Sequence, residues 1–417
     1  MALDMKQTIR TSLMTPGTHG WGVPLLFVGM PGVAKTAIGC SEAADLGMHP
    51  YVLIGSQIEA PDIGGFPAPG ERYGKRCLDP LAPYWAIEMN HICETTDAGC
   101  VLILDELNTC PPPVQAAMLR VVNERMAGGV KLHERIRILA FMNPPEIAAE
   151  AGGNPIAPAM ANRVGFVDWV APTIEDWSTH LMDVSSGQKT TTRINTRLLE
   201  EEIMRRWHEF FVRASGECTA FLLANSKRAN AMPTNAEERH GPWASYRSWE
   251  NATRFLAGSR LQGASKGDQE VLVGGFVSAA IGKEFFHYLR SRDIPDAGEW
   301  MAGKVELSLS STRLDVAATV LRTAVALLTS TADDDQFIKR LVFLIQWFID
   351  HSETQSSLIA NPMRNVFMVW RKRCSGSAEL TKKLLNKHGK TVTTFRQLPM
   401  LAQLEDLGIL NPGTAAR

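Results

Sequence analysis

Short, mainly apolar runs recur through the first 172 residues of the chain, and stretches with helical spacing separate them. Runs of this length, bounded by turn residues, predict buried strands. Because helices alternate with strands, the pattern predicts an α/β core with a five-stranded parallel sheet and flanking helices. The predicted strands lie at 25–28, 51–54, 101–104, 136–140 and 164–170.

Beyond residue 172 the apolar residues take the spacing of helices. The spacing along 198–213 predicts a long amphipathic helix, and the segments 314–328 and 337–349 are predicted to be apolar-rich helices. The chain therefore divides into three predicted domains, which are a nucleotide-binding core at 1–172, an all-helical lid at 173–300 and a helical C-terminal region at 301–417.

A segment rich in proline and glycine, at 59–67, interrupts the pattern of the core. Its composition predicts a loop and not a helix. The segment carries two large apolar side chains, Ile63 and Phe66. They either contact a partner from an exposed loop or pack back into the core, and the sequence leaves both interpretations open.

Composition and charge exclude several classes of protein. The hydrophobic share of 45% and the charged share of 21% are those of a globular protein. A formal net charge of -1 provides no field that favours nucleic acid. The first residues lack the features of a signal peptide, and no apolar run is long enough to span a bilayer. Together with seven cysteines and no CxxC pair, this predicts a cytoplasmic protein with reduced thiols.

The first predicted strand leads through a glycine-rich turn into a helix, which is the pattern of the phosphate loop (P-loop) of an NTPase. Backbone N–H groups of such a turn bind phosphate oxygens, so the expected ligand is ATP. Lys35 is placed to reach the outer phosphates, and Thr36 offers a hydroxyl to Mg²⁺. Ala34 replaces a glycine of the strict pattern, which predicts a negative φ there. The predicted nucleotide-binding residues of this turn are Gly29, Pro31, Gly32, Val33, Ala34, Lys35, Thr36 and Ala37.

Four further polar residues follow predicted strands or a short helix. Asp105 and Glu106 end the strand at 101–104, where Asp105 is expected to hold Mg²⁺ through water and Glu106 to polarise the attacking water. Asn143 follows the next strand, where it is expected to orient that water or contact the γ-phosphate. Arg163 ends a short helix and is expected to act in a neighbouring subunit as an arginine finger.

Each of these features, taken alone, also fits an ordinary structural role. The turn fits a plain strand-to-helix connection with a chance lysine. The Asp105–Glu106 pair fits a chance ending of an apolar strand, Asn143 an Asn-Pro turn, and Arg163 a surface salt bridge. Their order along the chain favours the functional interpretation, because phosphoryl transfer needs the phosphate loop and the carboxylates together.

With these residues collected, the chain resembles the AAA+ ATPases, and most of all their MoxR-like branch. The resemblance rests on GMPGVAKT at 29–36 (Walker A), LILDELN at 102–108 (Walker B), the Asn-Pro pair at 143–144 and the arginine at 163. An AKT ending is frequent in that branch. The chain departs from it at Thr109, where the branch often has arginine, and at 162–164, where Asn-Arg-Val replaces the usual Asp-Arg-Phe.

The resemblance also implies a role for an arginine of the lid. Arg247, in the first turn of a helix with Ser245 as its N-cap, resembles the second-sensor arginine that AAA+ lids place on the γ-phosphate. A cation near a helix N-terminus opposes the macrodipole, which favours a ligand-binding role for this residue. Arg239 and Arg254 are the competing candidates.

The resemblance implies a homo-oligomeric, hexameric ring that binds ATP and Mg²⁺ between subunits and hydrolyses ATP to ADP and phosphate. Arg163 would act on the neighbour's ATP, and the other site residues, Arg247 included, within their own subunit. It further implies chaperone-like remodelling of a client, often with a partner protein that carries a von Willebrand factor A domain.

Two other functions remain open from the sequence. One is a scaffold that assembles when ATP binds, which the presence of Glu106 disfavours. The other is a DNA-acting AAA+ motor, which the near-zero net charge and the lack of a basic stripe disfavour. Nucleic acid is therefore not an expected partner.

Overall fold

The computed structural model describes residues 3–150, 152–178, 182, 194–292, 294–307, 314–351, 356–399 and 401. The chain forms two compact units. The first contains Met1–Phe211 and Asn225–His287, and the second contains Val212–Ala224 and Tyr288–Arg417. The predicted boundary at residue 172 falls inside the first unit, and the division into three functional domains stays a prediction.

The first unit is built on a sheet of five parallel strands, as the sequence predicts. The sheet has the order β2-β5-β8-β1-β9, and two small hairpins, β3-β4 and β6-β7, lie outside it. The strands are β1 Leu25–Val28, β2 His49–Ile54, β3 Phe66–Arg72, β4 Lys75–Leu81, β5 Cys100–Asp105, β6 Met126–Ala127, β7 Val130–Lys131, β8 Ile136–Met142 and β9 Gly165–Asp168.

Helices flank the sheet and complete the first unit. They are α1 Met5–Met14, α2 Lys35–Asp45, α3 Ala60–Gly64, α4 Tyr84–Thr95, α5 Pro112–Glu124, α6 Pro145–Glu150, α7 Pro158–Ala161, α8 Thr196–Ala224, α9 Tyr246–Leu261, α10 Lys266–Val277 and α11 Ala279–Arg292. The second unit takes the last residues of α8 and α11. Helices on both faces explain why the central strands are apolar throughout: Leu25, Leu26 and Phe27 of β1 are fully buried.

The proline-rich segment at 59–67 is not the loop that its composition predicts. It forms the short helix α3 and then the start of β3, which pairs with β4 as an isolated antiparallel hairpin. Glu59 and Asp62 close a capping box around the start of α3, so proline is tolerated within its first turn. Ile63 packs into the core, since it is 1% exposed, whereas Phe66 is 64% exposed and its contact with a partner stays a prediction.

The helices that lie wholly in the second unit are α12 Ala297–Met301, α13 Leu314–Ser330, α14 Asp334–Asp350, α15 Ser356–Ser375 and α16 Ala378–Arg396. Their apolar faces enclose one core, in which Trp300 and Trp347 meet edge to face at 5.4 Å. This confirms the helical C-terminal region. Among the residues that the structure describes, no helix is both long and apolar enough to cross a lipid bilayer.

A buried ionic cluster ties α8 to the sheet. Arg135 and Arg137, at the start of β8, share the carboxylate of Glu200 on α8, and Arg135 Nε lies 2.9 Å from Glu200 Oε2. The side chain of Arg137 is fully buried. Burial lowers the pKa of Arg137, and the Glu200 charge opposes that shift. The single carboxylate therefore offsets the desolvation of two cations.

Removing this carboxylate is expected to destabilise the protein strongly. Glu200→Ala leaves two buried guanidinium groups without their counter-ion, and the free energy of unfolding should fall by about 3–5 kcal/mol. The measurement is urea unfolding followed by circular dichroism.

The matched control is Glu124→Ala. Its ion pair with Arg120 is more than half exposed on both sides, so its removal should cost less than about 1 kcal/mol. Equal losses for the two variants would show that the buried cluster contributes no more than a surface pair.

Candidate functional site

The phosphate loop follows β1 directly and is held to the neighbouring strand. The N–H of Gly29 donates to the carbonyl of Met142 at 3.2 Å, which continues the pairing of β1 with β8. Gly32 has a φ of 79°, and a side chain added there would meet no atom within 4 Å. A left-handed residue in such a turn directs successive N–H groups to one side, where they can bind an anion.

Ala34, the N-cap of α2, has a φ of 60° and a ψ of 24°. The prediction of a negative φ from its alanine side chain is therefore wrong. The loop imposes the left-handed conformation that glycine adopts freely, and the alanine Cβ raises its cost by about 1–2 kcal/mol. Alanine is accepted here because the rest of the chain stabilises the loop, and not because the backbone avoids strain.

Lys35, the first residue of α2, is 7% exposed and turns its ammonium group back into the loop. Nζ donates to the carbonyls of Gly29 and Met30 at 2.6 and 2.7 Å and to Oδ1 of Asn143 at 3.1 Å. Burial lowers the pKa of Lys35, while the charges of Asp105 and Glu106 oppose that shift. The cation therefore lies between the loop, the carboxylates and Asn143.

Thr36 and Asp105 form the second contact of the site. The Thr36 hydroxyl donates to Oδ2 of Asp105, and Oδ1 of Asp105 accepts from the N–H of Glu106 at 2.9 Å. A hydroxyl and a carboxylate side by side are the hard oxygen ligands that suit Mg²⁺, which usually keeps several waters. The described residues contain no group of three or more His, Cys, Asp and Glu side chains placed to hold a metal.

Glu106 occupies a strained position at the end of β5. Its φ of 51° and ψ of 41° are left-handed, which is uncommon for a residue other than glycine. Oε2 of Glu106 accepts a hydrogen bond of 2.7 Å from the hydroxyl of Ser56. Ser56 follows β2, and the pairing of Ile54 with Asp105 brings the two strand ends together.

Asn143 is fixed by a second asparagine. Nδ2 of Asn108 donates to the Asn143 carbonyl at 2.8 Å, and Oδ1 of Asn108 accepts from the Asn143 N–H at 3.4 Å. Asn108 is 2% exposed. Sequence reasoning assigned no role to Asn108 or Ser56. The signal for each was a polar residue just beyond the end of a predicted strand.

The structure therefore brings five of the predicted residues to one edge of the sheet, at the carboxyl ends of its strands: Lys35, Thr36, Asp105, Glu106 and Asn143. It places Arg163 at the opposite edge, two residues before Gly165, which pairs with the first residue of β1. At about 3.3 Å per residue, the two ends of β1 are about 10 Å apart.

Arg247 lies beside Arg163 and not beside Lys35. The two arginines line one cavity of about 130 Å³, together with Pro24, Arg125 and residues of α9. Burial, and then the charge of Arg247, lower the pKa of Arg163. Arg163 Nε is buried without a hydrogen-bond partner. The cavity thus concentrates positive charge and contains an unsatisfied donor.

The two competing arginines, Arg239 and Arg254, are occupied by other groups. Arg239 donates to the carbonyls of Pro233 and Thr234 at 2.9 and 3.1 Å. Arg254 pairs with Glu250 at 3.2 Å and lies over the ring of Phe211. Arg247 is exposed, and it forms no hydrogen bond or ion pair with any described residue.

Comparison with known proteins adds little to this geometry. No protein-family model and no curated protein matches the chain. Among solved structures, it is similar to a "putative ATPase" from Cytophaga hutchinsonii, with 16% identity and a TM-score of 0.42 over 67% of this chain and 86% of that one. A likeness this distant carries no weight for function, which rests on the residues of the site.

Relieving the strain at Ala34 is expected to stabilise the protein. Ala34→Gly removes a Cβ from a left-handed residue, and the greater freedom of the unfolded glycine offsets part of the gain. The net increase in the free energy of unfolding should be about 0.5–1 kcal/mol. Urea unfolding of the nucleotide-free protein measures it.

The matched control is Ala37→Gly in the first turn of α2, where glycine should destabilise the helix by about 0.5–1 kcal/mol. A loss of stability in Ala34→Gly as well would show that the left-handed backbone carries no cost for alanine.

Proposed function

We propose that the chain is an ATP-hydrolysing AAA+ protein of the MoxR-like type, which works as a ring and remodels a client protein. The observation that carries the proposal is the cluster at the carboxyl edge of the sheet. A phosphate loop with its lysine, a Thr36–Asp105 pair and the carboxylate of Glu106 meet there. This combination supplies what phosphoryl transfer requires, which is positioning and charge stabilisation.

Each residue of the cluster has a proposed role. The loop N–H groups and Lys35 bind the phosphates, and Lys35 offsets the charge on the outer ones. Thr36 and Asp105 would hold Mg²⁺, which supplies charge neutralisation at the phosphates when bound. Glu106 orients the attacking water and takes its proton, while Asn143 fixes that water's position. The hydrogen bond from Ser56 holds Glu106 aside until ATP binds.

The arginines are proposed to serve a neighbouring subunit. Arg163 and Arg247 lie together at the amino edge of the sheet, so neither is beside the phosphate loop of its own chain. A subunit placed head to tail would bring this pair to its neighbour's ATP. We therefore assign Arg247, like Arg163, to action in trans, in place of the role within its own subunit that the family resemblance implied.

The ring, the client and a partner with a von Willebrand factor A domain rest on the resemblance to the MoxR-like branch. The separation of the two half-sites supports assembly, because Arg163 and Arg247 lie away from the phosphate loop of their own chain. A head-to-tail interface generates a closed ring when its rotation closes.

Assembly is expected to depend on ATP. The particle mass of wild type and of Glu106→Gln should rise to that of an oligomer when ATP is added, since the nucleotide joins two subunits. The Glu106→Gln oligomer should persist, because hydrolysis falls on the order of 100-fold or more without the base. Light scattering after size exclusion measures the mass. A monomer under all conditions, or a variant with full turnover, would contradict the assignment.

Mixed rings test whether the arginines act in trans. Arg163→Ala should lose turnover on the order of 1000-fold while its nucleotide binding remains, as for a lost arginine finger. Mixing it with Glu106→Gln should restore part of the activity, because some interfaces then join an intact Glu106 to an intact Arg163. The measurement is phosphate release as a function of the mixing ratio.

The control mixture combines Arg163→Ala with Arg247→Ala. If both arginines act on the neighbour's ATP, no interface is intact and turnover stays low. Recovery in this mixture would place Arg247 in its own subunit's site. Loss of nucleotide binding in Arg163→Ala would remove the arginine-finger role.

A further inference from the structure

Asn162, which precedes Arg163, connects the end of α7 to the lid. Its side-chain Nδ2 donates to the carbonyl of Trp243 at 3.0 Å, and its Oδ1 accepts from the hydroxyl of Ser245 at 2.7 Å. Asn162 is 5% exposed. The nitrogen and the oxygen of this buried amide therefore both form hydrogen bonds with the segment that enters α9. Breaking either bond would leave a buried polar group unsatisfied, which destabilises the fold.

Ser245 begins the helix that carries Arg247. It is the N-cap of α9 and forms a capping box with Ser248, so its position sets the direction of the first turn. A second bond joins the same two elements one turn further along. Nδ2 of Asn251, four residues after Arg247, donates to the carbonyl of Arg163 at 3.3 Å. The start of α9 is thus held at two points, by the side chain of Asn162 and by the backbone carbonyl of Arg163.

These bonds act against electrostatic repulsion. Arg163 and Arg247 are close enough for the charge of one to lower the pKa of the other. Two cations this close repel each other, and the charge of Glu124 offsets only part of that repulsion at Arg163. The hydrogen bonds of Asn162 and Asn251 hold together the elements that carry Arg163 and Arg247. The two arginines are therefore positioned before an anion binds.

We propose that Asn162 is a positioning residue that makes Arg163 and Arg247 one rigid anion-binding element, which engages the neighbour's phosphate as a unit. The proposal rests on the function proposed above. It adds that a shift of α9 moves both arginines together, so that the lid controls the arginine finger and not only its own residue.

The amide is required at this position for a chemical reason. The Trp243 carbonyl can only accept a hydrogen bond, so it needs the nitrogen of asparagine. An aspartate would keep the bond from Ser245 but would place a second oxygen against that carbonyl. This explains the departure from the Asp-Arg-Phe pattern: the aspartate-to-asparagine difference supplies the donor that this lid contact uses.

The test compares Asn162→Asp and Ser245→Gly with wild type. Glycine is itself a good N-cap, so Ser245→Gly removes the hydroxyl without adding charge and with little effect on the helix. Both variants should lower kcat about ten-fold or more, as a small misplacement of catalytic groups does, while KM for ATP is unchanged. Each should also regain turnover when mixed with Glu106→Gln, because the defect lies on the arginine side of the interface.

Two control variants separate positioning from stability. Asn90→Asp breaks a similar bond, from Nδ2 to the Lys131 carbonyl at 2.9 Å, away from both half-sites. Ser265→Gly removes the N-cap hydroxyl of α10. Both should keep the wild-type kcat. If the controls lost as much turnover as the test variants, the effect would be one of folding and the proposal would be overturned.

A double variant decides whether Asn162 acts through the arginine pair. Once Arg247→Ala is present, adding Asn162→Asp should lower kcat by much less than ten-fold, because the element is already broken. Multiplicative losses would overturn the proposal. Wild-type kcat in Asn162→Asp and Ser245→Gly would do the same while the proposed function stands. Full turnover in Arg163→Ala and Arg247→Ala themselves would instead remove the function on which the proposal rests.

Discussion

The pairing of β1 with β8 is the constraint on which the site depends. Val28 lies opposite Met142, so the phosphate loop and Asn143 leave the sheet side by side. On the other side of β8, Leu104 pairs with Ala140, which brings Asp105 and Glu106 to the same edge. A one-residue slip in either pairing would turn these side chains to the opposite face of the sheet. The register of two buried strands therefore determines the chemistry.

The parallel strands also separate two sets of charged residues. The carboxyl ends of the strands hold Lys35 and Asn143 next to Asp105 and Glu106, and the amino end of β1 lies near Arg163 and Arg247. The two edges differ in charge, since one carries two carboxylates next to Lys35 and the other carries two neighbouring arginines. In the ring that we propose, the complete site would form only where the carboxyl edge of one subunit meets the amino edge of its neighbour.

The sequence predicts the residues whose neighbours are close along the chain. Strand, turn and helix follow one another around Lys35 and Thr36, and the pattern identifies them without knowledge of the fold. Ser56 and Asn162 could not be found in this way, because their partners lie 50 and 83 residues away. A single polar residue has no periodicity, so only the folded chain shows what it contacts.

Backbone conformation was the second feature that the sequence could not predict. The many turn-forming residues of 59–67 predicted a loop. They could not show that the segment forms a short helix and then a strand that pairs with β4. The prediction of a negative φ for Ala34 was wrong for a related reason. Intrinsic preference favours a negative value, and the loop geometry overrides it.

The strained alanine of the phosphate loop has an evolutionary consequence. Every alanine codon is one base substitution from a glycine codon, so the less strained residue is always within reach of a single mutation. A strain of about 1–2 kcal/mol is tolerated only in a domain whose free energy of unfolding is several times larger. The alanine at this position therefore implies that the rest of the first unit contributes enough folding free energy to hold this turn in a conformation that its own sequence disfavours.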